Sequence, residues 1–379
     1  MHTLSQLVGL DLPIRALRGA LAADQVAGTH LFVGPDGVGK TALALAFAAA
    51  AACPEPQREP YDACGNCRSC RLLAAASHPE ITLIAPAGDA TQLWQFWDRD
   101  GRPPGSVQST ISYAPSLGRR RVYIVERADT LTEAAANSLL KVLEEPPSYA
   151  LFVLLSPHPS RMLPTVLSRA QALRLQPMPI SALTAYLEHE EDVPAQRART
   201  LASLAEGRVG RALRLARSAA GMEEVDRVLD FVSVIPSTSP LGALRISEGM
   251  RKLASSLRHV GAGDSAKDAS ANAPTEDAPT EADGGTGKER TSKQQLSAIV
   301  DLAAAYYRDV LAVALLGSEA GVVHVDRRAE IECVAERLPP QECMSCLGAL
   351  LAARRWIDQN ASPSLLTDWL ATRLVLQSA

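Results

Sequence analysis

The sequence predicts an α/β fold: a parallel sheet with helices on both faces, followed by regions made of helices alone. Short apolar runs indicate strands, one of them rich in β-branched residues (RRRVYIVERAD) and another at ALFVLLSP, and longer patterns rich in alanine and leucine separate them. Strands that alternate with helices in this way are typical of a parallel sheet buried on both sides. After Pro177-Met178-Pro179 only the helical pattern continues.

The elements of the sheet region follow in order. THLFVGPDGVGKTALALAFAAAAA predicts a strand, a glycine-rich turn and a helix, and RRRVYIVERAD predicts a second strand. Asp129 and Thr132 are candidate caps of the next helix, EAAANSLLKVLEE, which Pro146-Pro147 ends. A third strand is expected at ALFVLLSP and a fourth at ALRLQPM. We therefore expect an α/β core over residues 1–176.

The rest of the chain is expected to form two helical regions, a small one at 177–221 and a larger one at 222–379. The larger region is interrupted at about 258–293 by a segment rich in Ala, Asp, Glu, Gly, Ser, Thr and Pro. No large apolar side chain follows Val260 in this segment, so it is predicted to be disordered. We interpret it as an inert insertion between two helices.

Composition and charge exclude several classes of protein. The chain has 379 residues, 47% of them hydrophobic and 21% charged, which indicates a globular protein of two or three domains. A net charge of −4 gives no overall attraction to nucleic acid, so such binding requires a local basic patch. No signal peptide is recognisable, and the longest apolar run, TALALAFAAAAAC, is too short for a bilayer. We expect a cytoplasmic protein with reduced cysteines.

A phosphate-binding loop is the most specific motif. GPDGVGKT, residues 34–41, matches the pattern G-x-x-x-x-G-K-[ST] and stands between a predicted strand and a predicted helix. In this pattern backbone N–H groups surround phosphate oxygens, the lysine contacts the outer phosphates and the hydroxyl ligates Mg²⁺. We therefore expect ATP with Mg²⁺ to bind at Gly34, Gly37, Val38, Gly39, Lys40 and Thr41.

The strand at 122–125 ends in an unusual pair, Glu126-Arg127. ATP-hydrolysing proteins with this layout usually end that strand in Asp-Glu. Glu126 can still reach the Mg²⁺ shell, but Arg127 cannot accept a proton, because a guanidinium group does not lose its charge. Without an acid that positions water, a phosphoryl-transfer site lacks a principal catalytic group. The sequence thus predicts that ATP binds and is hydrolysed poorly.

Four cysteines predict a metal site. Cys64, Cys67 and Cys70 are separated by two residues each, and Cys53 precedes them in CPEPQREPYDACGNCRSC. Four thiolates suit a closed tetrahedral Zn²⁺ site with a structural role. An iron–sulfur cluster and redox-active thiols are the alternatives. Cys343 and Cys346 lie in an apolar helical pattern and are interpreted as core residues.

An arginine at the edge of the core is a candidate for catalysis in a neighbouring subunit. Ser168-Arg169, in LPTVLSRAQALRL, follows a strand and a turn. An arginine donated in trans stabilises the charge on a transferring phosphate. The spacing alone favours the alternative, an ordinary surface arginine.

Taken together, these segments resemble the bacterial clamp-loader subunits of the AAA+ class. The resemblance rests on HLFVGPDGVGKTALALAFA, the four-cysteine insertion, SHPEI, RRRVYIVERADTLT, AAANSLLKVLEEPP, LPTVLSRA and EGRVGRALRLA, and it is dense over residues 4–217. It implies an AAA+ core, a helical lid and a helical collar that joins gamma/tau and delta subunits into a five-membered ring. With ATP, such a ring opens a sliding clamp and places it on primed DNA for DNA polymerase III.

The resemblance also assigns residues. Val8 and Gly9 match the stretch that touches adenine, and Arg169 matches the arginine finger that acts in trans. The active ATPase subunits carry a lid arginine that senses the γ-phosphate, where this chain has Gly210, with Arg211 one residue later. This departure and the Glu126-Arg127 pair favour a subunit that lends its arginine to a neighbour. An active gamma/tau-type ATPase is the alternative.

One residue is a candidate for DNA contact, and two unrelated functions are alternatives to the clamp-loader interpretation. Lys141, in NSLLKVLEE, is a candidate for contact with DNA phosphates, which would carry no sequence preference, or is simply a solvated lysine. An unrelated nucleotide kinase would need an arginine-rich lid and a pocket for its acceptor. A zinc-ribbon nucleic-acid binder would need more basic and aromatic residues around the cysteines.

Overall fold

The computed structural model describes residues 3–57, 59, 61–88, 90–97, 107–258, 286–359 and 361–376. The chain forms two compact units, divided between Met178 and Pro179. The predicted core ended at residue 176, two residues earlier. The further division at residue 221, between a lid and a collar, stays a prediction.

The described residues of the first unit form a five-stranded parallel sheet in the order β2-β3-β4-β1-β5. Its strands are β1 Thr29–Val33, β2 Ile81–Ile84, β3 Arg121–Val125, β4 Ala150–Ser156 and β5 Gln171–Arg174. The predicted fold class is confirmed. The strand β2 was not predicted, because it is a four-residue, partly exposed edge strand that follows a proline and gives only a weak apolar signal.

Helices cover both faces of this sheet. They are α1 Asp11–Ala22, α2 Lys40–Ala52, α3 Arg68–Ala74, α4 Glu133–Glu144 and α5 Pro164–Leu167. Along β3, Val122 and Ile124 pack against α1 and α2, whereas Tyr123 and Val125 pack on the opposite face with α4. Because side chains of a strand alternate between faces, burial on both sides explains the continuous apolar run VYIV.

The start of α4 distinguishes the two predicted caps. The Thr132 hydroxyl accepts the N–H of Ala135 at 3.3 Å, so Thr132 caps the helix. Asp129 does not cap it: both carboxylate oxygens are buried and have no hydrogen-bond partner among the described residues. The helix ends at Glu144, two residues before the proline pair, as the sequence predicts.

All the regular elements described in the second unit are helical. They are α6 Ile180–Glu190, α7 Ala195–Leu204, α8 Val209–Arg217, α9 Ala219–Val234, α10 Ala243–Ser256, α11 Thr286–Leu316, α12 Arg328–Arg337, α13 Pro340–Asp358 and α14 Pro363–Leu376, joined in places by short 3₁₀ turns. Cys343 and Cys346 of α13 are buried, as predicted for core cysteines. Within the described part of the chain, no helix combines the length and apolarity needed to cross a bilayer.

The predicted disordered segment needs one correction. Residues 259–285 lie outside the described residues, so most of the predicted range has no structural account. Residues 286–293, however, form the first turns of α11 rather than a disordered segment. The sequence KERTSKQQ contains several good helix formers, and extending an existing helix is far easier than starting a new one.

Candidate nucleotide and metal sites

The phosphate-binding loop joins β1 to α2 at the carboxyl edge of the parallel sheet, where ligands of open α/β folds bind. Gly37 has a φ of 83° and Gly39 a φ of 102°, values that residues with a side chain rarely adopt. A Cβ atom on Gly34 would lie 2.6 Å from the carbonyl oxygen of Leu175. Three glycines of the motif are therefore required by the shape of the loop.

Lys40 is held against the loop itself. Its side chain is nearly buried, and its Nζ donates to the carbonyl oxygens of Gly34 at 2.8 Å and Pro35 at 2.9 Å. It also pairs with Asp36 at 3.1 Å. The ammonium group is thus fixed beside the backbone that would surround a phosphate.

Two predicted Mg²⁺ ligands lie close together. The hydroxyl of Thr41 donates to a carboxylate oxygen of Glu126 at 3.3 Å, which joins the start of α2 to the end of β3. Hydroxyl and carboxylate oxygens are ligands suited to Mg²⁺, so this pair fits the ion. Arg127 follows with a left-handed φ of 48°, and its buried Nε has no hydrogen-bond partner among the described residues.

Ser156 belongs to the same edge, although the sequence analysis did not single it out. It pairs with Val33, the last residue before the loop, and its carbonyl accepts the N–H of Gly34 at 3.3 Å. Its buried hydroxyl accepts the N–H of His158 at 3.1 Å. The available signal was a polar residue at the end of an otherwise apolar strand.

The predicted adenine stretch lies beside the loop. Gly9 has a φ of 75°, and a Cβ atom there would lie 3.2 Å from the sulfur of Met178. The next side chain, Leu10, is buried and lies 3.5 Å from the Cβ position of Gly39. Val8, half-buried, is part of this segment. The structure therefore brings the N-terminal segment and the phosphate loop together.

The four predicted metal ligands form a cluster. Every Sγ lies within 4.8 Å of the others, and three pairs are 3.9 Å apart: Cys53–Cys67, Cys64–Cys70 and Cys53–Cys70. A tetrahedral zinc ion with Zn–S bonds of about 2.3 Å needs sulfur atoms about 3.8 Å apart. The cluster therefore fits Zn²⁺.

Backbone groups favour the thiolate of Cys64, whereas burial opposes ionisation of Cys53. The N–H of Cys67 donates to the sulfur of Cys64 at 3.3 Å, and the N–H of Cys70 to that of Cys67 at 3.4 Å. Burial opposes ionisation of Cys64, but N–H groups of Cys67 and Asn66 outweigh it and lower the pKa to about 7. Burial raises the pKa of Cys53 to about 11. Binding of a divalent cation would deprotonate all four thiols.

Arg169 is ordered by contacts within its own unit. Its Nε donates to Oε1 of Glu144 at 2.9 Å, and its Nη2 contacts the same oxygen. Its Nη1 donates to the carbonyl oxygen of Thr165 at 2.8 Å. The side chain remains 30% exposed. The guanidinium is therefore fixed at the surface by the end of α4, a partner that the sequence analysis missed.

The remaining predicted residues lie on helices. Lys141 is exposed on α4. Gly210 and Arg211 lie on α8 of the second unit.

Comparison with known proteins agrees with this geometry. Residues 11–179 match the family model described as "DNA polymerase III, delta subunit". The delta-prime subunit of Bacillus subtilis is 32% identical over 222 residues, covering 59% of this chain and 64% of the relative. The delta-prime subunit of Pseudomonas aeruginosa is 37% identical over 164 residues, covering 43% and 47%. Residues 11–179 of this chain are therefore similar to this family, and the chain is similar to delta-prime subunits of DNA polymerase III.

The family resemblance extends to a sister subunit. The gamma/tau subunit of Mycobacterium tuberculosis is 32% identical over 190 residues, covering 48% of this chain and 30% of the relative. The chain spans less than two thirds of the length of each of these relatives.

Proposed function

We propose that this chain works as the delta-prime-like subunit of a clamp loader, helping to load a sliding clamp onto primed DNA during replication. It would act with gamma/tau and delta subunits in a five-membered ring, at the replication machinery of the nucleoid. The observation that carries the proposal is an intact phosphate loop whose Thr41 contacts Glu126, in the pair Glu126-Arg127 that follows β3. This combination suits a subunit that binds ATP but does not turn it over efficiently.

Each residue of the proposed nucleotide site would have a distinct role in binding ATP. Bound ATP·Mg²⁺ would supply the phosphate charge that orders the loop. Lys40 would exchange its carbonyl partners for the outer phosphates, while Thr41 and Glu126 would hold Mg²⁺. Arg127 stays protonated and cannot take a proton from water. Val8 and Gly9 would contact adenine.

Arg169 would act on the nucleotide of a neighbouring subunit. An arginine finger must be presented in one orientation, because its guanidinium has to meet a phosphate of the neighbour. Hydrogen bonds to Glu144 and to the carbonyl oxygen of Thr165, both in the same subunit, fix the orientation of this guanidinium. We infer that Arg169 is the principal catalytic group that this chain contributes to the ring.

The other parts of the chain would have supporting roles. The cysteines at 53–70 would hold structural Zn²⁺ within the AAA+ core, 1–176. Residues 177–221 would form the lid and 222–379 the collar, which would join the subunits. Lys141 would contact DNA phosphates, which position a protein on DNA without reading its sequence.

The deciding experiment uses the reconstituted loader with clamp and primed DNA. We would compare ATP turnover for the wild type, Arg169→Ala, Lys40→Ala and a control, Arg161→Ala, which removes a nearby exposed arginine. Loss of an arginine finger typically lowers the rate of ATP hydrolysis at the site it serves by about 10³-fold or more. Arg169→Ala should therefore abolish nearly all of the ATP turnover at the neighbouring site. Lys40→Ala and Arg161→Ala should leave turnover nearly unchanged.

The opposite pattern identifies the sister function. If Lys40→Ala removes turnover, Arg169→Ala does not, and the isolated chain hydrolyses ATP, the chain is an active gamma/tau-type motor.

A further inference from the structure

Asp62 is a buried acid within the cysteine segment, outside the metal ligands. Its side chain is only 2% exposed. Two backbone hydrogen bonds with Gln57, of 2.9 Å and 3.2 Å, hold the residue in place. Tyr61, which precedes it, has a left-handed φ of 50°. A charge buried in such a constrained position requires strong partners.

Those partners lie in the N-terminal segment. Oδ1 of Asp62 accepts the N–H of Leu4 at 3.1 Å and that of Ala63 at 2.8 Å. Oδ2 accepts the N–H and the hydroxyl of Ser5 at 2.8 Å and 2.7 Å, and pairs with Arg18 of α1 at 3.4 Å. One carboxylate thus joins the cysteine segment to residues at the start of the chain and to α1.

The anchored segment leads directly to the nucleotide site. Leu4 is fully buried and packs with α2, and four residues later the chain reaches Val8, Gly9 and Leu10 beside the phosphate loop. The helix α2 makes a second connection, because it starts at the loop with Lys40 and Cys53 immediately follows its end. Around Cys53, the side chain of Ala63 packs with Cys70, so Asp62 is one residue away from the packed cysteine cluster.

We propose that Asp62 is a positioning residue that couples metal binding at the four cysteines to nucleotide binding at the phosphate loop. A metal ion fixes the cysteine segment, Asp62 transmits this order to residues 4–10, and the adenine side of the site is preformed. The inference rests on the proposed binding of ATP by this chain. It concerns affinity and not hydrolysis.

Thermodynamic linkage makes the inference testable in both directions. If zinc raises the affinity for nucleotide by some factor, nucleotide must raise the affinity for zinc by the same factor. Couplings of this kind are commonly five- to 150-fold, and we expect about tenfold here. Asp62→Asn should bring this coupling factor close to one. The NH₂ group of asparagine would face a backbone N–H donor of residues 4–5, so the connection to the N-terminal segment would be lost.

The experiment measures a complete cycle on the full chain. The dissociation constant of fluorescently labelled ATP is determined with and without Zn²⁺. That of Zn²⁺ is determined by competition with a chromophoric chelator, with and without ATP. Glu59→Gln is the matched control, since it removes one negative charge from an exposed residue of the same segment. Ser5→Ala, which removes one side-chain partner of Asp62, should lower the factor partially.

Circular dichroism and metal content show whether each variant is folded and holds zinc. Equal zinc affinity in the absence of nucleotide, together with a lost coupling factor in Asp62→Asn, supports the proposal. An unchanged factor in that variant, or a factor of one in the wild type, overturns it. If the variant does not fold, an unchanged factor in Ser5→Ala overturns it instead. A wild type that binds no ATP with or without zinc overturns nucleotide binding itself, and the coupling with it.

Discussion

Replacing Glu80 by glutamine should loosen the loop that leads into β3, the strand that Glu126 immediately follows. The carboxylate of Glu80 is buried, and one oxygen accepts N–H groups of Ser116 and Leu117, the latter at 2.9 Å. The other oxygen accepts the N–H of Gly118 at 2.8 Å. Three consecutive backbone donors therefore depend on one side chain.

The magnitude follows from these contacts. Glutamine keeps one oxygen and turns the other into an NH₂ group, so at least one backbone N–H would face a second donor. A hydrogen bond to a charged group contributes about 1.5–3 kcal/mol, and the bonds that remain would lose their charge assistance. We expect Glu80→Gln to lower the free energy of unfolding of the first unit by about 2–4 kcal/mol.

The loss should depend on pH. Burial by itself would raise the pKa of Glu80, but the three N–H groups outweigh it and hold the pKa below its usual 4.5. A carboxylate with a lowered folded-state pKa stabilises the protein above its unfolded pKa and loses this contribution as the pH falls through the folded value. The difference between wild type and Glu80→Gln should therefore be complete at neutral pH and shrink below about pH 4.

The assay is urea denaturation followed by circular dichroism, together with hydrogen exchange of peptides that cover β3. The exchange data assign any loss to the first unit, which matters because a protein of two units need not unfold in one step. Glu59→Gln, at an exposed position, is the control. A loss for Glu80→Gln no larger than that of the control, or one that does not change with pH, would refute the reasoning.

Three further predictions concern the loop, the metal and the second unit. Gly39→Ala should weaken the binding of labelled ATP. A Cβ atom at this position would meet only an ordinary contact, so the expected destabilisation of the loop, about 1–2 kcal/mol, comes from the positive φ alone. An unchanged dissociation constant for ATP would contradict this prediction. Protein purified without chelator should contain one zinc ion, and stripping it should lower the thermal midpoint by several degrees; a metal assay that finds no zinc would be decisive against the site. Asp309→Asn should destabilise the second unit by about 2–4 kcal/mol, because Asp309 is buried and accepts bonds from the ring and backbone of His324. Burial would raise the pKa of Asp309, but these bonds lower it, so the effect should fade below about pH 4, and a pH-independent loss would argue against this.

The sequence predicted most of the first unit because its signals are local. A strand buried on both faces leaves an apolar run, and the phosphate loop needs glycine at fixed positions whatever the rest of the chain does. The short edge strand β2 lacks such a run. Thr132 and Asp129 were equal candidates for one cap, and only the geometry separates them.

The missed residues share a different property: their partners are distant in the sequence. Asp62 binds a segment near the start of the chain, and Glu144 meets Arg169 only because α4 and α5 pack together. Nothing in the local pattern around an acid shows whether it will face water or a remote N–H group. The four cysteines were found because their spacing is itself a metal-ligand pattern.

The sheet order determines when the candidate nucleotide site can form during synthesis. Both neighbours of β1 lie far along the chain, since Val33 pairs with Ser156 on one side and with Arg174 on the other. At 5–20 residues per second, the ribosome needs roughly 6–30 s to make the intervening chain. During that interval the apolar helix α2 has no completed sheet to pack against. The cysteine segment ends at Cys70, so a nascent chain could bind a metal ion before Ser156 and Arg174, the partners of Val33, are made.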